Sequence, residues 1–319
     1  MIRSVRVVPY GVRAQVRGRS LVRHGWWVSL VDDCGLEGHG DAASWPGFGA
    51  VDAEIVSALH RVAPSLHGLT LAEAQALVRR THVPSPSRHA LQLALCDLDA
   101  QQSRAPLADI LQPGASRHVA THARVRTSEQ AHRARLRGFT HLKVKVDGPV
   151  EGAAARVEEV AEAGLPMRID CNAGWDVDRA NAFLRRISDL PVDYVEQPVV
   201  TLDEFRSLDR CGVRIGADEL VCHASFDAVL DVADVVVIKP MFVGGPLEAV
   251  ELAKSASAAG KDVVVTHALE SRVGRRGALH VAAAVGRGVH GVGRIDATNP
   301  LVEIGHDSGL GIAALESAA

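Results

Sequence analysis

Apolar and polar positions change their period once along this chain. Residues 3–13 (RSVRVVPYGVR) and 24–33 (HGWWVSLVDD) alternate between the two, as strands with one covered face do. The second run enters a turn at Asp33-Cys34-Gly35, so the pair is expected to be antiparallel. Segments 52–64 and 87–104 then carry apolar residues at helical spacing. From about residue 118 the pattern is different. Short β-branched runs at 119–125, 140–146, 167–170, 192–196, 213–218, 235–239, 262–267 and, more weakly, 290–295 alternate with helical segments such as 151–164 and 245–260, both of which end in glycine.

Strict alternation of strand and helix implies parallel strands joined by helical crossovers, because parallel neighbours cannot be linked by a tight hairpin. Eight such units predict an α/β fold, a modified (β/α)8 TIM-type barrel. An open doubly wound sheet is the alternative, but its G-x-G-x-x-G turn after the first strand is absent. Pro113-Gly114 punctuates the change of pattern. The expected division is therefore an α+β capping domain over 1–115, a barrel over 116–295, and a C-terminal segment, 296–319, that returns to the cap.

Composition narrows the partners. The chain is 47% hydrophobic and 23% charged with a formal net charge of −3, and its two signs are interleaved, so it shows no electrostatic footprint for nucleic acid or an anionic membrane. No run approaches the ~20 apolar residues that span a bilayer, and the N-terminus lacks the apolar stretch of a signal peptide. A cytoplasmic protein acting on a small molecule is expected. Cys34, Cys96, Cys171, Cys211 and Cys222 form no C-x-x-C, which speaks against a disulfide framework or a structural zinc site. Only five of 35 basic residues are lysine, and three of these, Lys143, Lys145 and Lys239, interrupt apolar strand-like runs where a surface cation has little reason to be.

In a β/α barrel the active site lies at the carboxyl ends of the strands. Five successive predicted strands end in charge: Lys143-Val144-Lys145, Asp170-Cys171-Asn172, Glu196-Gln197-Pro198, Asp218-Glu219 and Lys239-Pro240. A single such residue is more often a helix cap or a solvated loop charge. Five in register argue against that. Ring closure would set Lys145 and Lys239 across the mouth from one another, with Asp170, Glu196 and Asp218 along the arc between them. Three carboxylates within about 5 Å would repel by roughly 3 kcal/mol per pair at an effective dielectric of about 20. A divalent cation removes that cost, and all-oxygen ligands favour Mg²⁺ or Mn²⁺ over zinc. Lys143 and Lys145 share a strand face, so each is expected to depress the other's pKa, leaving one able to act as a base. Two lysines beside a metal suit removal of a proton α to a carboxylate. G-x-S-x-G is absent, and the cysteines have no evident base partner.

The set KVK (143–145), DCN (170–172), VEQP (195–198), ADE (217–219) and IKP (238–240) resembles the muconate-lactonizing branch of the enolase superfamily. GHGDAASWPGFG (38–49) and ALCDLDAQQSRAPLADIL (94–111) are similar to the N-terminal capping domain of that family. The pairing of a lysine base with Mg²⁺ is a property of the superfamily rather than a deduction from spacing. The resemblance implies that Lys145 is the base, with Lys143 supporting it and Lys239 facing the intermediate from the other side. It implies Asp170, Glu196 and Asp218 as Mg²⁺ ligands, with Asn172 and Glu219 behind them. The segment 263–275 (VVVTHALESRVGR) looks most like the actinobacterial o-succinylbenzoate synthases of menaquinone biosynthesis, which dehydrate a cyclohexadiene carboxylate; Thr266 and Ser271 are its candidate substrate contacts. Gly18–Gly25 and Trp45–Gly49 would close over the site. Dipeptide epimerases of this branch carry Asp-x-Asp near the eighth strand, where this chain has Asp296-Ala297-Thr298 with one carboxylate. An N-acylamino acid racemase or dipeptide epimerase is the alternative enzyme, and a metal-binding barrel without activity the alternative of another class.

Overall fold

The computed structural model describes residues 1–16, 19–293 and 298–312. Its N-terminal part is a three-stranded antiparallel sheet, β1 (Ile2–Val16), β2 (Arg19–Asp32) and β3 (Glu37–Ala42), in which Val7 lies opposite Val28 and Val28 opposite Gly40. Three helices follow: α1 (Asp52–Val62), α2 (Leu71–Arg80) and α3 (Ser85–Gln102). Thr70 and Glu73 cap α2 reciprocally, the hydroxyl accepting from the Glu73 N–H and the Glu73 carboxylate from the Thr70 N–H. A short α4 (Leu107–Leu111) leads to the barrel.

Helix α3 is buried along most of its length, because it fills the space between the antiparallel sheet and the barrel. Its close fit to β3 rests on two glycines. A Cβ on Gly40 would collide with the carbonyl of Ala90, and one on Gly38 with that of Ala94. On the barrel side, Gln92 Oε1 accepts from the Leu247 N–H at 2.9 Å.

From His118 strand and helix alternate. In order come β4 (His118–Thr121), β5 (Ala123–Val125), α5 (Ser128–Leu136), β6 (Leu142–Lys145), α6 (Val150–Ala161), β7 (Met167–Asp170) and α7 (Val177–Ile187). Then follow β8 (Val192–Glu196), α8 (Leu202–Arg206), β9 (Ile215–Ala217), α9 (Leu220–His223), α10 (Phe226–Val232), β10 (Val235–Ile238) and α11 (Pro240–Val243). The series ends with α12 (Pro246–Ala258), β11 (Asp262–Val265), α13 (Arg272–Val285), β12 (Val289–His290) and β13 (Leu301–Glu303). Strands β5 to β11 form a seven-stranded parallel sheet in sequence order, curled with helices around it. The ring is completed by residues 289–291: Gly291 donates to Val265 O at 2.8 Å, and β12 pairs in parallel with β4.

The eight-unit barrel with an N-terminal cap is therefore the architecture observed, with two local differences from expectation. The single strand expected over 119–125 is divided at His122: β4 pairs with β12 and β13, β5 with β6, and the His122 N–H turns to His290 O at 3.2 Å. The eighth strand is shorter than 290–295, and Arg294 and Ile295 lie outside the described residues. Strand β13 returns antiparallel onto β4, and beyond it the Leu310 N–H donates to Asp97 Oδ1 of α3 at 2.7 Å. No helix among the described residues is long and apolar enough to cross a membrane.

Two outcomes test this packing. Gly40→Ala is expected to cost about 2–3 kcal/mol in urea unfolding, whereas Gly152→Ala, in α6 with open space around its Cβ position, should gain up to about 1 kcal/mol; similar midpoints for the two would contradict the fit of α3 on β3. Asp97 is 1% exposed, and burial lifts its pKa to about 6 against the pull of the His39 and Leu310 N–H groups. A folded-state pKa raised above the unfolded value favours the native state as pH falls toward the unfolded value, and that contribution is lost as pH rises through 6. Asp97→Asn should therefore reduce the stability gained between pH 7 and pH 5 by about 1 kcal/mol, an effect absent if the carboxyl titrates normally in the fold.

Candidate active site

Strand register brings the charged residues to one level. In the parallel ladder Lys145 pairs with Asp170 and Asp170 with Glu196, while Glu196 lies beside Gly216, two residues before Asp218. Lys239 follows β10 directly. Side chains two apart on a strand share a face, so Lys143 stands one layer below Lys145. All of these line one cavity of about 620 Å³, together with Asn172, Glu219 and Thr266.

Inside it the charges are paired. Lys143 Nζ donates to both oxygens of Glu196, at 2.8 and 2.9 Å, and lies 3.0 Å from Asp170 Oδ2. Lys239 Nζ donates to Asp218 Oδ1 and stands 4.6 Å above the Phe48 ring, which stacks on Phe242. Phe48 belongs to the cap, so the cap contributes to the site's wall. Asn172 Nδ2 reaches Glu219 Oε1 at 3.4 Å; Asn172 Oδ1 and Glu219 Oε2 are buried without a partner.

Burial pushes Glu196 up to about 7 against the pull of Lys143, with Asp170 and Asp218 adding to the rise. Burial likewise lifts Asp218 to about 6, opposed by Lys239 and reinforced by Glu219. For Asp170 burial also favours the neutral form, but Lys143 and Lys145 prevail and its pKa falls. Lys143 corrects an expectation. Burial disfavours its charge, yet Asp170 and Glu196 outweigh burial, and its pKa is raised rather than lowered. The acids divide between the two lysines. Among the described residues Asp170, Glu196 and Asp218 do not bring one oxygen each within 4.8 Å of one another: two of them share Lys143 and the third holds Lys239. The cluster that does, Asp32, Asp33 and Cys34, builds an exposed turn: Asp32 Oδ1 accepts from the Cys34 and Leu36 N–H groups, and Asp33 pairs with the N-terminal ammonium.

Of the two expected substrate contacts the structure places one in the cavity. Thr266 lines it, its hydroxyl donating to Gly291 O at 3.1 Å. Ser271 does not: it caps α13, is 1% exposed, and its hydroxyl donates to Asp41 at 2.7 Å while accepting from Trp27 Nε1 at 3.0 Å. A serine just before a helix is a cap first, and that signal was present in the sequence. Trp45 and Phe48 reach the cavity, whereas Gly18 and Asp296 lie outside the described residues.

Sequence reasoning passed over two supports. Gln197 Oε1 accepts from the Asp218 and Leu220 N–H groups at 2.9 and 3.2 Å, anchoring the carboxyl end of β9 to that of β8. Asp41, at the end of β3, takes the Tyr10 hydroxyl at 2.5 Å and the Ser271 and Gly274 N–H groups at 3.1 and 3.2 Å, so a cap strand holds the start of a barrel helix. The loop before that helix, Thr266 to Leu269, lines the cavity.

Residues 126–304 match the family described as Enolase C-terminal domain-like. The chain belongs to that family. Over 158 residues it is 39% identical to an o-succinylbenzoate synthase of Thermobifida fusca, covering 46% of this chain and 49% of the relative. The chain thus spans about half the length of the o-succinylbenzoate synthases it matches. It is 30% identical over 278 residues to a hydrophobic dipeptide epimerase of Flavobacteria bacterium MS024-2A, covering 79% and 76%. Among solved structures, a Methylococcus capsulatus dipeptide epimerase complexed with Mg and the dipeptide L-Arg-D-Lys superposes with a TM-score of 0.83 at 26% identity, over 97% of this chain and 99% of the other. This member of the enolase family therefore has relatives of both kinds.

Removing the Asp41 carboxylate leaves several buried donors unmatched, so Asp41→Ala is expected to lower stability by about 3 kcal/mol in urea unfolding. An unchanged midpoint would show that the network does not hold α13.

Proposed function

We propose that this chain is a metal-dependent carbon–oxygen lyase, an o-succinylbenzoate synthase, acting on a cyclohexadiene carboxylate that carries hydroxyl and succinyl groups. Proton abstraction is supported by Lys145 and Lys239 on strands four apart around the ring, with buried carboxylates between them, and dehydration by the 39% identity to an o-succinylbenzoate synthase. In this reading residues 1–115, with 296–319 returning to them, cap a catalytic barrel of 116–295.

The donor set fits a divalent cation. Three buried carboxylates, two with pKa values lifted by burial, and the orphaned oxygens of Asn172 and Glu219 offer hard oxygen donors alone. Asp170, Glu196 and Asp218 would hold Mg²⁺ or Mn²⁺, with Asn172 and Glu219 behind them. Bound there, the cation offsets the negative charge that develops on the substrate carboxylate.

The chain's own residues do the proton work. The α C–H bond breaks and its proton goes to Lys145 Nζ. The bond from the adjacent ring carbon to its hydroxyl then breaks, Lys145 gives that proton to the departing oxygen, and water leaves as the ring becomes aromatic. Lys143, held on Asp170 and Glu196, keeps a fixed positive charge beneath Lys145. Lys239 presents its ammonium to the carboxylate from the other side. Phe48 and Phe242 shield that side from water.

A racemase or epimerase is the second reading. The epimerase match over 79% of the chain favours it, and Lys239 would return the proton to the opposite face. The single carboxylate of Asp296-Ala297-Thr298 and the 39% identity to a synthase favour dehydration.

An ultraviolet assay on the cyclohexadiene substrate separates the two. The expected result is formation of the aromatic diacid, dependent on added Mg²⁺ and slowed by about 10³-fold or more in Lys145→Ala. Failure to form the aromatic product, with α-deuterium uptake from D₂O into N-acylated amino acids or dipeptides, would replace the lyase by the second reading.

A further inference from the structure

Two guanidinium groups on the cavity wall have no part in the chemistry above. Arg124 lies in β5, in register with Lys143, and Arg126 follows two residues later on the same face. Both line the cavity. Several other barrel arginines are engaged by their side chains: Arg168 donates to Asp193, Arg210 to Asp234, and Arg156 to the carbonyl of Lys145. Among the described residues no such partner is found for the side chain of Arg124 or Arg126, and Arg126 is held only through its backbone N–H, which donates to Gln130 Oε1 at 2.7 Å. The acids nearest in the ring, Asp170 and Glu196, are already engaged by Lys143.

Position gives these cations a use. Strand β5 lies four strands from β9 in the ring, so Arg124 and Arg126 stand across the mouth from Asp218. Six basic and five acidic side chains line the cavity, an excess of positive charge before any metal is counted. A guanidinium fork matches the two oxygens of a carboxylate.

We infer that Arg124 and Arg126 form an anion subsite for a second carboxylate of the substrate, at the end remote from the reacting α-carbon, so that the preferred substrate is a dianion. This rests on the reading of the reacting centre given above and adds the residues that select the far end of the molecule. A monoanion with an apolar tail would leave both guanidinium groups on the cavity wall unmatched.

Calorimetric titration of the Mg²⁺-supplemented protein with two pairs of probes tests it. One pair is o-succinylbenzoate and 2-pentanoylbenzoate; the other is N-succinylphenylalanine and N-pentanoylphenylalanine. The members of each pair differ only in whether the tail ends in a carboxylate or a methyl group. Within whichever pair binds, the dianion should bind at least about tenfold more tightly to the parent. Arg124→Gln/Arg126→Gln should bring that ratio near one and leave the monoanion's Kd unchanged, with circular dichroism confirming the fold. Each single variant should give an intermediate ratio. No preference in the parent, a preference that survives in the double variant, or no binding of either dianion at millimolar concentration would overturn the subsite. If the preference depends on the arginines but the cyclohexadiene substrate is not dehydrated, the lyase reading fails and the subsite stands.

Discussion

Burying several carboxylates at the mouth of one barrel is the constraint on which this molecule turns. Glu196 is 1% and Asp218 3% exposed, and neither could stay ionised without nearby positive charge. Lys143 and Lys239 supply that charge from opposite parts of the ring. Lysine serves here where arginine does elsewhere in this chain, because a compact ammonium on a flexible stem fits between carboxylates on adjacent strands. A site so balanced holds positive charge at two sides of one cavity.

The arrangement depends on register. One-residue slippage of β7 against its neighbours would turn Asp170 to the outer face and break the level shared with Lys145 and Glu196. Hydrogen bonds beyond the strand ends resist such slippage: Gln197 ties β8 to the start of α9, and Asp41 ties the cap to α13. The cap's Phe48 is seated against Lys239 and Phe242, so fixing the cap also fixes one wall of the cavity.

Much of this was legible in the chain because the barrel repeats one unit, and strand-end charges recur with it. Lys143, Lys145, Asp170, Glu196, Asp218 and Lys239 all reach the same cavity for that reason. What local pattern could not show was tertiary. The break at His122 comes from two different pairing partners for the halves of one apolar run. Lys143 is raised rather than lowered because Asp170 and Glu196, distant in sequence, lie closer to its charge than any spacing argument reveals. Ser271 reads as a pocket residue until Asp41, 230 residues away, is seen to hold it. Arg124 and Arg126 were invisible as site residues because arginine is the chain's ordinary cation.

The most direct measurement is Mn²⁺ binding followed by electron paramagnetic resonance on the parent protein and on Asp170→Asn, Glu196→Gln, Asp218→Asn and Asp33→Asn. One tightly held ion per chain is expected, weakened by at least about tenfold in each of the first three variants and unaffected in the fourth. Undiminished binding in the first three, or loss only when Asp33 is changed, would contradict this expectation.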